Sequence, residues 1–231
     1  MPLLSGRIWM HLKHEETVTR FETESSARFF GARVAMSTTV SLLDPKSGRP
    51  RLYTSRSGKS ARRFTFSEKS YSYEKLKTTG NAAAPLSSWE VRRHDEFLYP
   101  TDATGKILPV YDYYGMLLRL RETTLSKIGD EATFHIATSK GAIAFTVTVA
   151  EIRRGTLSWL TLPDRKKTER VVSQMRLQVA PADAGVDAEG FLKMEGETEL
   201  WVEQKSKTVL RIGGKAPKVP GKIALVLAEI G

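Results

Sequence analysis

The chain contains no cysteine. That absence removes disulfides, thiolate metal sites and thiol nucleophiles together, and it leaves the redox compartment open, because exported proteins also do without cysteine. Long apolar runs are missing as well. No stretch of the 231 residues approaches the roughly 18 consecutive apolar residues that a membrane-spanning helix requires. Histidine is scarce, with His11, His14, His94 and His135 the whole supply. His11 and His14 are three apart on an expected strand and turn, so they point to opposite faces and do not chelate one metal. The patterns G-x-S-x-G, G-x-x-x-x-G-K-[ST] and G-x-G-x-x-G do not occur, which leaves no hydrolase elbow, P-loop or dinucleotide fingerprint. The first ten residues (MPLLSGRIWM) have no basic segment followed by an apolar core, so as they stand they are not a secretory signal peptide, and taken literally the chain stays in the cytoplasm. No internal repeat and no linker-like run interrupts the sequence, and a single domain over residues 1–231 is expected.

What is present is ordinary for a globular protein, 40% apolar and 27% charged, but strongly basic, with a formal charge of +10 and a pI near 9.8. Such a surface favours anionic surfaces and polymers and also serves plain solubility. Alternation with period two dominates the pattern. In Ala142 to Val149, Ile143, Phe145, Val147 and Val149 share one face and Ala142, Ala144, Thr146 and Thr148 the other, as in a half-buried strand. Ile8, Met10 and Leu12 alternate similarly, as do Ile223, Leu225 and Leu227. About a dozen strands are expected, separated by turn signals at Asp44-Pro45-Lys46-Ser47-Gly48, Ser57-Gly58, Ser139-Lys140-Gly141, Arg154-Gly155 and Gly213-Gly214, with a bulge at Gly31. The spacing of Tyr113, Leu117, Leu120 and Thr124 predicts one helix over about residues 110–125, entered at Pro109 and burying Leu117 and Leu120. The fold class is therefore mostly β and antiparallel, with one central α-helix.

Several segments bear a resemblance in their order. Ser41-Leu42-Leu43-Asp44 precedes Arg49-Pro50-Arg51-Leu52-Tyr53, Met116-Leu117-Leu118-Arg119-Leu120-Arg121 forms the helix, and Ile128-Gly129-Asp130 enters an alternating strand. Leu200-Trp201-Val202 is then followed by Val219-Pro220-Gly221-Lys222-Ile223. This order resembles the bacterial domain of unknown function 3108 family, exported β-rich proteins without an assigned activity. Where that family has a small-residue turn, this chain has Pro163-Asp164-Arg165-Lys166-Lys167. The resemblance implies a periplasmic or envelope location, a single antiparallel sheet curved into a barrel or half-barrel around the central helix, and a native start upstream of Met1 that supplies a further strand and a signal peptide.

Candidate sites follow from two constellations. Between Asp44 and Lys77 there are ten basic residues against three acidic ones, with Tyr53, Phe64, Phe66, Tyr71 and Tyr73 interleaved. Arg56, Arg62, Arg63 and Lys69 are the expected polyanion contacts if this stretch stacks bases and neutralises phosphates, or contacts an acidic glycan. Alternation gives the same sequence if the aromatics face a core and the cations face water, and no nucleic-acid motif accompanies the charge. The second constellation is apolar: Leu117, Phe145, Trp159 and Trp201 would line a gap between sheet and helix that holds an acyl chain, or fill an ordinary core. A third feature, His94-Asp95-Glu96, places an imidazole beside two carboxylates, with His94 and Glu96 on one strand face and Asp95 on the other. The acidic run Asp187 to Glu203 followed by the basic run Lys205 to Lys222 reads as two neighbouring strands with cross-strand charge pairs. The expected function is a non-enzymatic envelope protein that binds an apolar or amphipathic ligand such as a lipid, or an envelope partner, on the concave face of its sheet. The alternative is a polyanion-binding module using residues 44–77. No cofactor and no metal are expected.

Overall fold

The computed structural model describes residues 4–29, 32–161, 166–183, 191–215, 222–226 and 229–230. Seven strands form a first sheet in chain order, each antiparallel to the next: β1 (Leu4–His14), β2 (Thr19–Phe29), β3 (Ala32–Leu43), β4 (Pro50–Ser57), β5 (Ser60–Phe66), β6 (Ser70–Lys77) and β7 (Glu90–Leu98). Short connections enforce this order, because a two-residue link such as Gly58-Lys59 between β4 and β5 can only join antiparallel neighbours. The Asp44 turn is built by its own side chain. Oδ1 of Asp44 accepts the backbone N–H groups of Lys46 and Ser47 at 3.1 and 2.9 Å, Oδ2 accepts Arg51 at 2.9 Å, and these donors hold the carboxyl well below the usual carboxylate range.

The remaining strands are β8 (Val110–Tyr111), β9 (Glu131–Thr138), β10 (Gly141–Thr161), β11 (Lys166–Pro181), β12 (Glu195–Glu203), β13 (Val209–Lys215), β14 (Lys222–Val226) and β15 (Glu229–Ile230). They form a second sheet in the order β14-β13-β12-β11-β10-β9-β8, with β15 pairing β10. Between β8 and β9 lies the one α-helix of the described residues, α1 (Tyr113–Leu120). Packing divides the chain into two compact units, residues 1–116 with 135–142, and residues 117–134 with 143–231. α1 and β9 each pass from one unit into the other. No helix among the described residues is long and apolar enough to cross a membrane.

The mostly β class and the single helix agree with the sequence, while the arrangement differs in four respects. Among the described residues the strands occupy two sheets and close no barrel. The chain leaves the first sheet after Leu98 through a connection bounded by Pro100 and Pro109, residues without the N–H that a ladder needs. Pairing is also not wholly antiparallel, since β8 runs parallel to β9 and β15 parallel to β10. The helix is eight residues long rather than four turns. Val110 and Tyr111 pair with His135 and Ile136 instead of helically, and after Leu120 the bonds Arg121 N–H to Leu118 O, Glu122 N–H to Arg119 O and Thr123 N–H to Leu120 O tighten the chain into i→i−3 geometry and end it. Its buried face holds the expected Leu117 and Leu120.

The expected turns at Arg154-Gly155 and Gly213-Gly214 are strand interiors, of β10 and β13. Glycine is present at 155 because a Cβ there would stand 2.6 Å from Nε2 of Gln174, which crosses over it from β11. The bulge expected at Gly31 lies outside the described residues, as does the Pro220-Gly221 entry to the last strands; β2 ends at Phe29 and β3 begins at Ala32. Of the acidic and basic runs, the parts on β12 and β13 occupy neighbouring strands, with Glu195 opposite Lys215 but Glu199 opposite Gly213 and Arg211 opposite Trp201, while residues 187–190 and 216–221 lie outside the described residues.

The two units bury different chemistry. In the first, Tyr53, Phe64, Tyr71 and Tyr73 form the centre, with Tyr53 edge-on to Phe64 at 5.6 Å and Phe64 against Tyr73 at 5.0 Å. In the second, Val147, Val149, Met175, Leu177, Val179, Leu200 and Val202 are completely buried around Phe145, which meets Phe191 edge-on at 6.2 Å.

Candidate functional site

The apolar set named from the sequence, Leu117, Phe145, Trp159 and Trp201, falls wholly in the second unit but on no single surface. Phe145 stands opposite Pro181 and Val149 opposite Leu177, while Trp201 stands opposite Arg176. Because 177 and 176 differ in parity, Phe145 and Trp201 lie on opposite faces of the sheet. Trp159, opposite Thr168, shares the Trp201 face eight residues farther along β11, about 26 Å away for an extended strand. Phe145 and Leu117 are core residues, and Trp201 is covered by the guanidinium of Arg153, 4.0 Å from its ring centre.

In the first unit, cross-strand register assembles rows that the linear sequence does not display. One row reads Leu12, Phe21, Ser41, Tyr53, Phe64, Tyr73 and Asp95 from β1 to β7. The next row on the same face reads Met10, Thr23, Thr39, Ser55, Arg62, Lys75 and Arg93. Tyr114, from the start of α1, lies over the middle of both rows. Its ring stacks on Phe21 at 4.3 Å, and its hydroxyl is 3.0 Å from Oγ1 of Thr23, with Thr39 as a second partner. On one side of this cover the rows end in the apolar residues of β1. Met10 is 47% exposed and Leu12 37%, and Trp9 on the opposite face is 40% exposed. On the other side the second row ends in the cations Arg62, Lys75 and Arg93, while the first ends in Asp95.

Tyr114 is held in place by Asp112, which caps the helix. Oδ1 of Asp112 accepts the Gly115 N–H at 2.7 Å, Oδ2 accepts the Ser41 hydroxyl, and the Asp112 carbonyl takes the first helical bond from Met116 N–H at 3.0 Å. The fit is close, because a Cβ on Gly115 would stand 2.9 Å from the Gly48 carbonyl oxygen of the Asp44 turn. Asp112 is buried, and loss of water pushes its carboxyl up to about 6 despite these donors. A buried carboxyl with a raised pKa next to a serine is a pattern that also occurs in active sites. Here every polar contact of Asp112 is accounted for by capping and by Ser41, so it positions Tyr114.

No family model matches this chain, and no curated protein or solved structure is similar to it.

The polyanion set divides as well. Arg56 and Arg63 share one face and Arg62 the other, and Lys69 is in the turn between β5 and β6. Arg56 donates to the carbonyls of Ala82 and Ala84 at 3.0 and 3.2 Å and lies 4.9 Å from the Trp89 ring centre, which ties it to the 78–89 loop. Arg63 is paired with Glu74 at 2.5 Å, and that guanidinium holds the Glu74 carboxyl below its ordinary value. Glu74 also faces His94 Nδ1 at 3.6 Å, while His94 Nε2 is 3.8 Å from Glu96, so the histidine belongs to a surface charge ladder on β5 to β7. Asp95 points to the opposite face and pairs with Arg93 at 2.5 Å. What register adds is the line Arg62, Lys75 and Arg93 across three strands, spaced about 5 Å apart. Of these only Arg62 is among the expected contacts; Lys75 lies within residues 44–77, but its alignment with Arg62, like that of Arg93, depends on strand register. The Ile8, Met10, Leu12 alternation reads as a half-buried strand, whereas Met10 and Leu12 are exposed. Alternation reveals which residues share a face but not that their strand is a sheet margin.

Proposed function

We propose that the protein is a non-enzymatic cell-envelope protein that binds an apolar or amphipathic ligand, or an envelope partner, at the β1 margin of its first sheet. The observation that supports this most is the exposure of Met10 and Leu12 on one face of β1, next to the Phe21–Tyr114 stack, with Trp9 exposed on the other face. Neighbouring exposed apolar side chains mark interaction sites more often than scattered ones do. The envelope location is taken from the resemblance to the exported β-rich family. Titration with a fluorescent fatty acid tests the reading. Binding is expected to persist from 50 to 200 mM salt, since hydrocarbon burial at about 0.8 kcal/mol per methylene is scarcely screened, and to weaken in the Met10→Ser, Leu12→Ser double variant. Equal binding by the double variant excludes this margin.

A second reading, polyanion binding, is favoured by one observation, the aligned cations Arg62, Lys75 and Arg93. Oligonucleotide affinity would then fall with salt at a slope of about −0.7 per neutralised phosphate for single strands. Lys75→Ala with Arg62→Ala would flatten that slope, whereas Arg56→Ala would leave it unchanged.

A further inference from the structure

We infer that the far part of the β10–β11 hairpin is a binding arm for duplex nucleic acid, seated in a groove and held by phosphate contacts from both of its faces. The inference goes beyond the reading given above and uses none of the β1 residues, so the two stand or fall separately. β10 leaves β9 at Val149, whose N–H donates to the Asp130 carbonyl and whose carbonyl accepts the Gly129 N–H, both at 2.9 Å. β11 leaves β12 at Gln174, opposite Glu203. Beyond those points the two strands pair with each other in unbroken register, from Arg153 opposite Gln174 to Thr161 opposite Lys166. Among the described residues only the two-residue β15 adds to them, at Leu160 and Thr161. The result is a two-stranded ribbon about 27 Å long, and a major groove about 12 Å wide admits such a ribbon.

The ionisable side chains of this ribbon are nearly all basic. Arg153 and Arg154 on β10, and Lys166, Lys167 and Arg170 on β11, are exposed. The one acidic residue within 152–161 and 166–173 is Glu169, which pairs with Lys167 at 2.6 Å. At the base of the ribbon Arg153 covers Trp201 and lies 3.9 Å from Glu151, and the Glu203 carboxyl, held low first by the Ser206 hydroxyl, is also drawn down by Arg170. Arg154 and Lys166 have no acidic partner among the described residues. Register divides the cations between two faces. Arg153, Arg170 (opposite Leu157) and Lys166 (opposite Thr161) share one, while Arg154 (opposite Ser173) and Lys167 (opposite Leu160) share the other. A bilayer meets a ribbon on one face only, whereas the two backbones that wall a groove offer phosphates to both. Single strands are bound by rows of rings that stack successive bases, and the ribbon carries one ring, Trp159, which is half-buried. Duplex is therefore the polyanion that fits.

The test uses the full chain and a labelled duplex of about 20 base pairs, read by fluorescence anisotropy from about 50 to 200 mM salt. Binding is expected, with log K falling against log salt by about 0.9 for each phosphate engaged. Arg154→Ala and Lys166→Ala, one from each face, should each flatten that slope by about 0.9, and together they should weaken binding at about 100 mM salt by about tenfold or more. Arg154→Lys with Lys166→Arg should retain the wild-type slope, which separates lost charge from a disturbed ribbon. Arg62→Ala with Lys75→Ala removes the same charge from the first unit and should leave the duplex slope unchanged. Trp159 lies on the Arg170 and Lys166 face, opposite Thr168, so duplex binding should alter tryptophan emission and Trp159→Phe should remove most of that change. Absence of duplex binding at about 50 mM salt, a slope that flattens for one face alone, or an equal effect of the first-unit pair overturns the inference. So does binding to vesicles of anionic lipid that the ribbon variants weaken while duplex binding is unaffected.

Discussion

Tyr71 in the first unit and Phe145 in the second are both fully buried, yet they are held in different ways. The Tyr71 hydroxyl donates to the Thr138 carbonyl at 3.0 Å and accepts the Thr138 N–H at 3.3 Å, and burial raises its pKa well above the ordinary tyrosine value. Phe145 has only packing, among valines, leucines and the edge of Phe191. The same contrast runs through both units. The first buries hydroxyls, amides and a carboxyl in satisfied networks at Ser41, Asp112, Thr23 and Tyr114, which require one register, while the second fills its centre with aliphatic side chains. A centre whose aliphatic side chains are already out of water leaves little for a ligand to gain. The margin of a sheet whose exposed residues are apolar leaves more, which is why the proposed site lies at β1 rather than at Phe145.

The comparison can be broken most forcefully in the second unit. Phe145→Ala should cost about 3–5 kcal/mol in urea denaturation and Leu117→Ala about 2–5 kcal/mol, because little surrounds either residue that can collapse without loss. A small effect at Phe145 would mean that the aliphatic centre is not close-packed, and would return it to candidacy as a cavity.

The next effect belongs to Asp112. Its folded pKa of about 6 exceeds its ordinary value of 3.8, so the protonated form is favoured on folding. Its contribution is fully present below about pH 4 and is lost as the pH rises through 6, a loss of about 3 kcal/mol. Asp44 and Glu74, with lowered values, act in the opposite direction, so the informative quantity is the difference between wild type and Asp112→Asn. Asparagine caps helices well. The variant should match wild type at pH 4 and exceed it at pH 8, measured by urea midpoints at constant ionic strength.

Smaller again, Tyr71→Phe should cost about 1–3 kcal/mol by leaving the Thr138 backbone groups unpaired in the interior. The partly exposed Arg63–Glu74 pair should cost less than about 1 kcal/mol when Arg63 is changed to Ala. If Arg63 mattered more than Tyr71, the first unit would depend on its charged surface and not on its buried networks.

Most strands were legible because alternation is a local property: Ala142 to Val149 falls inside β10, and the Asp44, Ser57-Gly58 and Ser139-Lys140-Gly141 turns all connect strands. The helix was legible in place but not in length, because Asp112 caps it late and the bonds after Leu120 shorten it. Glycines misled at 155 and 214, where the chain needs room for Gln174 and Met194 rather than a turn. The site was less legible, since register is long-range information. It aligns Arg62 with Lys75 and Arg93, and places Phe145 and Trp201 on opposite faces. Asp112 was passed over because its burial depends on Ser41 and on the turn at Gly48, both far away in the chain.

The most direct measurement compares the two units by their tryptophans. Fatty-acid binding should change tryptophan emission in the wild type, and Trp9→Phe should remove most of that change while Trp159→Phe leaves it intact. A change that survives Trp9→Phe and disappears with Trp159→Phe would place the ligand in the second unit and contradict the assignment to β1.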